Sequence, residues 1–306
     1  MSLHEFELKT AVALARNATQ ITEWFKKKGF KSFNKDDKTP VTLADYASQT
    51  YIISELRDLF PDDRIIAEEG NLQFINAKAE NLIRKCLNDL NLGDIKSIKD
   101  SISYRGVSSE RQWTIDPIDG TMGYKKGLSY AVGIGFMIKS VPTICTIAVP
   151  NYKGKNLAIF SAEKGQGAKV SYTKNSSTSI SVSRKSNYED FILCHSLHYD
   201  KPWVINFARK IGITKYVQID SMAKFCMVAD GSADIYIKPL NNYPTSSWDF
   251  LPGDLLVREA GGHVSDLNGE PLKFIEEKCL WTLPGIIGSN GVLKNSLIAL
   301  VKEYFA

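Results

Sequence analysis

The segment RQWTIDPIDGT, residues 111–121, constrains this chain more than any other. Its first half is an apolar strand pattern, and its second half places two aspartates, Asp116 and Asp119, where that strand should end. Pro117 fixes its own φ and drives Asp116 into an extended conformation, so Asp116 is predicted at the last strand position with Asp119 following across a turn. Gly120 removes a Cβ where chain and ligand must come close, and Thr121 offers a hydroxyl at the start of a helix. Ionised carboxylates at the end of an apolar strand cost several kcal/mol each to desolvate unless something neutralises them.

Two further acidic stations recur at element ends: Glu68 and Glu69 in RIIAEEG, and Asp249 in WDF. Oxygen ligands with no histidine nearby point to a hard cation, Mg²⁺ foremost, and argue against zinc or copper. Several carboxylates together suit two or more ions that share a bridging ligand, an arrangement that clamps the attacking and leaving oxygens of a phosphoryl transfer. An EF-hand loop requires carboxylates at alternate positions without proline, and DPIDG breaks both rules. An aspartyl-phosphate enzyme of the haloacid dehalogenase type needs an aspartate two residues before that of D-G-T, where this chain has Pro117. Carboxylates that merely cap helices and face water explain any one station, but not three in order.

With 306 residues, 43 % hydrophobic and 24 % charged, the chain is long enough for one large layered domain or two ordinary ones. Its net charge is only +4 and its lysines are scattered, which argues against a nucleic acid polymer as partner. The N-terminus reads as an amphipathic helix over residues 4–28, with Phe6, Leu8, Val12, Leu14, Ile21 and Phe25 on its apolar face, and neither as a signal peptide nor as a membrane span. Five widely spaced cysteines (Cys86, Cys145, Cys194, Cys226, Cys279) read as reduced and buried. A cytoplasmic protein with no membrane partner is the expectation.

A second helix is predicted over 42–58, with Thr42 as N-cap and Asp45 in its first turn, after a polar turn segment at 28–41. A strand in RIIAEEG, a helix in AENLIRKCLNDL and a loop over 93–110 follow. Consecutive strands are predicted in RQWTID, YAVGIGFMI, VPTICTIAVP and NLAIFSAEKGQGAKV, and SYTKNSSTSISVS is read as a hairpin rim. Beyond residue 178, strands (FILCHS, YVQI, ADIYIKP, GHVSD) alternate with helices (KPWVINFARKIG, MAKFCMVADG, FLPGDLLVREAGG). The fold class is therefore α/β, with an α+β domain over 1–170 and an α/β domain over 171–306 whose ligands lie at strand ends.

Taken jointly, Asp45, Glu68–Glu69, Asp116 to Thr121, and Trp248–Asp249 leading to Gly261–Gly262 resemble the inositol-monophosphatase superfamily of lithium-sensitive, Mg²⁺-dependent phosphatases, over nearly the whole chain. The resemblance implies a layered αβαβα sandwich. It also implies Glu68, Asp116 and the carbonyl of Ile118 as ligands of a first metal, and Asp116, Asp119 and Asp249 as ligands of a second, with two or three ions in all. Asp45 and Thr121 would orient and deprotonate a water for direct in-line attack. One departure stands in Phe250–Leu251–Pro252–Gly253–Asp254, where many relatives have small residues; the helix is expected to tolerate Pro252 in its first turn. No role is assigned to Asp254.

KTPVTLADYASQ, FPDDRIIAEEG, DGTMGYKKG, HSLH and DSMAKFCMVADGSADIYIKP are similar to the bisphosphate nucleotidase branch of that superfamily. This resemblance implies a small-molecule substrate, adenosine 3',5'-bisphosphate, cleaved to AMP. Activity on its sulfated form and on inositol 1,4-bisphosphate would accompany it, in a monomer or homodimer. Gly120 and Thr121 would lie against the scissile phosphate, and His195 and Ser196 near the adenosine and phosphate. Ser221, Lys224 and Lys238 would hold the 5'-phosphate, with Tyr236 at the base. Cationic and hydroxyl donors suit a second phosphate remote from the metals. An inositol phosphate phosphatase of the same superfamily is the alternative. A protein of another class, sensing metal or nucleotide without catalysis, would be expected to have lost one of these acids.

Overall fold

The computed structural model describes residues 3–29, 31–36, 38–174, 176–198, 202–240, 244–274 and 280–305. Helix α1 (Glu5–Lys28) leads into an antiparallel pair, β1 (Ser32–Asn34) and β2 (Pro40–Thr42), and then α2 (Leu43–Leu59). The chain continues through β3 (Arg64–Ala67), α3 (Ala77–Asp89), α4 (Ile98–Ser103), β4 (Arg111–Asp119) and α5 (Thr121–Lys125). With β5 (Ala131–Ile138), β6 (Val141–Pro150), β7 (Leu157–Glu163), β8 (Ala168–Ser171) and β9 (Thr178–Ile180), strands β3 to β9 form a seven-stranded sheet in sequence order. Every pair in it is antiparallel except β3–β4.

The second half comprises β10 (Ile192–His195), α6 (Pro202–Lys210), β11 (Lys215–Gln218), α7 (Ala223–Ala229) and β12 (Ile235–Pro239). It continues through β13 (Pro244–Ser246), α8 (Ser247–Glu259), β14 (His263–Asp266), β15 (Leu280–Thr282), β16 (Gly285–Ser289) and α9 (Lys294–Phe305). Here the sheet order is β11-β10-β12-β16-β14, and β13 pairs separately with β15.

Among the described residues, three apolar cores separate these layers. Leu14, Phe25 and Ile52 of α1 and α2 pack against Trp113, Ile134 and Phe136 of the large sheet. Its other face meets α7 and α8, whose Phe225, Leu251 and Leu255 share a core with Ile147, Phe160 and Tyr236. On the far side of the small sheet, Phe207 of α6 and Val301 of α9 bury Leu193, Ile235 and Ile287. The order is therefore α-β-α-β-α, the layered sandwich expected from the sequence.

The spacing of the central layer depends on missing side chains. Gly133 and Gly135 of β5 face this layer, and a Cβ on Gly135 would lie 2.4 Å from Leu251 Cδ2. On α8 itself, a Cβ on Gly253 would lie 2.2 Å from the Phe225 ring. Helix α8 thus rests almost directly on strand backbone. Gly135→Val is expected to destabilise the protein by about 1–3 kcal/mol through overpacking, measured as a fall in the urea midpoint; an unchanged midpoint would show that the layer can separate without cost.

Several sequence expectations are corrected. The polar segment after α1 contains the β1–β2 hairpin, fixed by a stacked pair, Phe33 and Phe74, 4.6 Å apart. The expected loop at 93–110 holds the short helix α4, with Ser97 accepting from the Asp100 amide. Phe6 is 58 % exposed rather than part of the apolar face of α1. Residues beyond Asp266, which carried no sequence assignment, supply β16, the strand beside β12 in the small sheet. Cys86, Cys145, Cys194 and Cys226 are buried and unbridged; Cys279 lies outside the described residues. Asp116 does not end its strand either, since β4 continues to Asp119. Pro252 falls one turn further into α8 than expected, so the helix persists while the Trp248 carbonyl loses its i+4 donor.

Candidate active site

The two aspartates of the opening motif face the same way because β4 carries an irregularity. Residues three apart on a regular strand point to opposite faces. Asp116 pairs with Gly133 and Asp119 with Ala131, so three steps on β4 match two on β5, and the extra residue restores both carboxylates to one face. Gly120 then turns left-handed, φ +86°, to start α5, and a Cβ there would lie 3.2 Å from the Ser221 Cβ. Proline, bulge and glycine together make the motif a device for aiming two acids.

Two other acids reach the site as third residues of helices. Asp45 and Asp249 each accept the backbone N–H of their own N-cap residue: Thr42 at 2.8 Å and Ser246 at 3.2 Å. Asp45 Oδ2 also accepts the Thr42 hydroxyl at 2.5 Å, which leaves Oδ1 to Thr121 Oγ1 at 3.4 Å. The Thr121 hydroxyl is 3.1 Å from the Ile118 carbonyl as well. Glu68 and Glu69 follow β3 at the edge of the same sheet.

These groups meet at a cavity of about 410 Å³ between the two halves. Its acidic wall is Glu68, Asp116, Asp119 and Asp249, with Asp220 beside Ser221; its basic residues are Lys224, Lys238 and Lys35. Ile118, Gly120, Thr121, Ser196, Ser221 and Tyr236 also line it. Of the residues predicted for the site, two lie off the lining. Asp45 stands behind Thr121, and His195 is buried at the end of β10, its ring edge-on to Tyr216 at 6.1 Å.

Electrostatics set the character of the cavity. Burial, reinforced by the charges of Glu68, Asp119 and Asp249, holds the Asp116 carboxyl well above the ordinary carboxylate range, and Asp116 and Glu68 share a side-chain hydrogen bond. Burial pushes Asp45 up to about 7 against the Thr42 donors, and pushes Asp249 up to about 7 against the pull of Lys238. Burial also raises Asp119, although Lys224, Lys238 and the Met222 amide oppose it. For Lys224, burial lowers the pKa and Asp119 counteracts it. Its ammonium stands 5.4 Å from the centre of the Tyr236 ring, and that of Lys238 stands 5.2 Å from the Phe250 ring.

Sequence reasoning missed Lys35, whose ammonium lies 2.8 Å from Glu68 and 2.6 Å from Glu69. Burial would lower its pKa, but these two acids raise it. No local pattern marks Lys35; the β1–β2 pairing alone brings it to the acids. Also missed was Asp220, which accepts the Ser196 hydroxyl at 2.6 Å and the Leu197 amide at 2.8 Å and bonds His198 Nδ1. Asp254, left unassigned, pairs with Arg258 Nε at 2.7 Å within α8 and is pushed up to about 6 by burial.

Among the described residues, no three His, Cys, Asp or Glu side chains stand ready-made around a point that a metal could occupy. The carboxylates are turned instead onto Lys35, the Met222 amide and their own caps. The donor set nevertheless fits a hard cation, since all the converging ligands are oxygens and their mutual repulsion in a desolvated space is relieved by positive charge. No helix among the described residues is long and apolar enough to cross a membrane.

The family model described as the inositol monophosphatase family matches residues 4–306. A 3'(2'),5'-bisphosphate nucleotidase of Emericella nidulans is 31 % identical, with 98 % of each chain covered. One from Schizosaccharomyces pombe is 31 % identical over 92 % of this chain and 91 % of its own, and 3',5'-bisphosphate nucleotidase 2 of Arabidopsis thaliana is 30 % identical over 98 % and 97 %. Among solved structures, an IMPase from Thermotoga maritima superposes with a TM-score of 0.72 at 22 % identity, over 98 % of both chains. An inositol monophosphatase from Anabaena gives 0.67, also at 22 % identity, over 98 % of this chain and 96 % of its own.

Proposed function

This chain belongs to the inositol monophosphatase family, and from that premise we propose that it is a Mg²⁺-dependent phosphomonoesterase that removes the 3'-phosphate of adenosine 3',5'-bisphosphate to give AMP. The single observation that carries this reading is that Lys224 and Lys238 enter the same cavity as Glu68, Asp116, Asp119 and Asp249. Four acids suit the metals of one phosphate, and two ammonium groups suit a second phosphate on the same small molecule. The relatives named as bisphosphate nucleotidases, aligned over nearly the whole chain, support that substrate class.

Glu68, Asp116, Asp119, Asp249 and the carbonyl of Ile118 would hold the ions, two or three in number. Bound there, Mg²⁺ would supply a water made more acidic by the metal and a counter-charge for the leaving oxygen. Thr121 Oγ1, between Asp45 Oδ1 and the Ile118 carbonyl, passes a proton from the attacking water to Asp45. Asp45, hydrogen-bonded to the Thr121 hydroxyl and raised above the ordinary carboxylate range by burial, is placed to take that proton. Lys224, Lys238 and Ser221 bind the 5'-phosphate. Tyr236 braces Lys224 through its ring and borders the base. Lithium inhibition is expected as in the family.

The test is Mg²⁺-dependent phosphate release from adenosine 3',5'-bisphosphate beside inositol 1-phosphate, inositol 1,4-bisphosphate and fructose 1,6-bisphosphate, with and without lithium. Preference for the nucleotide, lost in EDTA, is the expected result. Preference for an inositol phosphate would transfer the reading to the other branch, and no release from any substrate would leave a binding protein.

Titration gives an independent check. Asp45 and Asp249 titrate near 7 in the folded protein and near 4 in the unfolded chain. The stability they contribute is therefore full below about pH 4 and lost as pH rises through about 7. EDTA-treated protein is expected to melt lower at pH 8 than at pH 6, with Mg²⁺ restoring stability at pH 8. A metal-free melting temperature that rises over this range would contradict the assignment.

A further inference from the structure

Ser221 is a non-glycine residue in the left-handed region, φ +71°, at the seam between the two halves. Serine pays for that conformation, and a strained residue persists only where its surroundings over-determine it. The neighbouring Asp220 provides this: its amide donates to Ser129 Oγ at 2.9 Å, and its carboxylate is held by Ser196 and His198. On the other side of Ser221, the Met222 amide donates to Asp119 Oδ2.

We infer that Ser221 is a positioning residue whose left-handed turn aims the Met222 N–H at Asp119, so that a backbone donor from the second half fixes the orientation of a carboxylate on the first. This rests on the reading of Asp119 as a metal ligand. Asp119 Oδ2 accepts the amide, and its other oxygen is the one left for a cation. The Ser221 hydroxyl accepts the Ala223 amide at 3.2 Å, which stabilises the start of α7 but does not itself touch Asp119. Left-handed geometry, rather than the hydroxyl, therefore carries the effect on the metal. Outer partners of metal ligands commonly contribute about 10–100-fold in affinity.

The experiment uses full-length protein labelled with ¹⁵N-methionine, and reads the Met222 amide by NMR together with Mn²⁺ binding by EPR, neither of which requires turnover. In the parent, the Met222 amide is expected to be protected from exchange and to shift on Mg²⁺ addition. Ser221→Gly, free to keep φ near +70° without a hydroxyl, should keep both the amide signature and Mn²⁺ affinity, with only the KM for the bisphosphate raised. Ser221→Val, whose branched side chain disfavours the turn, should weaken Mn²⁺ binding about tenfold or more and displace the amide signal. Equal loss in both variants, or parental binding in Ser221→Val, would overturn the inference. Should Ser221→Val not fold, a parental Met222 amide that exchanges freely and ignores Mg²⁺ overturns it alone. A different substrate preference would leave these readouts unchanged, so a failure here is distinct from a failure of the proposed reaction.

Discussion

Asp116→Asn is expected to abolish turnover while leaving the fold intact. The side chain is buried beside Glu68, Asp119 and Asp249, and burial and the charges of all three oppose its ionisation. An amide keeps the volume and can still accept the Ile118 N–H, found here at 3.1 Å. Burial and its acidic neighbours hold the Asp116 carboxyl protonated beyond the ordinary range, so asparagine should cost the metal-free protein little and should gain on the parent as pH rises and the parent's acid is forced to ionise. The same change removes a carboxylate oxygen that would help hold Mg²⁺, and with it several kcal/mol of charge stabilisation, on the order of a thousandfold in rate. The decisive pattern is a melting temperature in EDTA that falls less with rising pH than the parent's, a lost increment on adding Mg²⁺, and no measurable phosphate release. Near-normal activity would remove Asp116 from the reaction.

Lys224→Ala separates substrate recognition from chemistry. Its ammonium is buried, faces Asp119 and Lys238, and lies over Tyr236. If it holds the second phosphate, KM for adenosine 3',5'-bisphosphate should rise about 10–100-fold, the value of a charge-assisted hydrogen bond of about 1.5–3 kcal/mol. Adenosine 3'-monophosphate, which has no second phosphate, should show little change. Should Lys224 instead only neutralise Asp119, both substrates would suffer equally and mainly in kcat. Steady-state kinetics on the two nucleotides therefore distinguish a phosphate site from a buried counter-ion.

The acids were legible in the sequence because each is bound to a local pattern. Asp116 and Asp119 come with a proline and a glycine whose backbone preferences speak for themselves, and Asp45 follows a threonine cap by three residues. What could not be read is whatever depends on pairing across the chain. The bulge that aligns Asp116 with Asp119 is a property of β4 against β5. Lys35 reaches Glu68 only because a three-residue strand in a polar stretch pairs with β2, and stacking of Phe33 on Phe74, 41 positions away, has no local signature. His195 was assigned to the nucleotide from its place in a motif, yet its burial against Tyr216 depends on the β10–β11 register. The αL turn at Ser221 was invisible for a different reason: serine does not announce that conformation as glycine does.

The double duty of Asp45 and Asp249, each closing a capping box while Asp249 lines the cavity and Asp45 backs Thr121, alters how mutational data on this protein must be interpreted. Alanine at either position removes a proposed reacting group and also frays the first turn of a helix, at about 0.5–2 kcal/mol. An alanine scan would report one loss where two have occurred, and would rank these residues as structural. Asparagine separates the two, because its side-chain oxygen can still accept the cap amide while its charge is gone. Comparison of the two substitutions at each site thus measures how much of a helix end has been lent to chemistry.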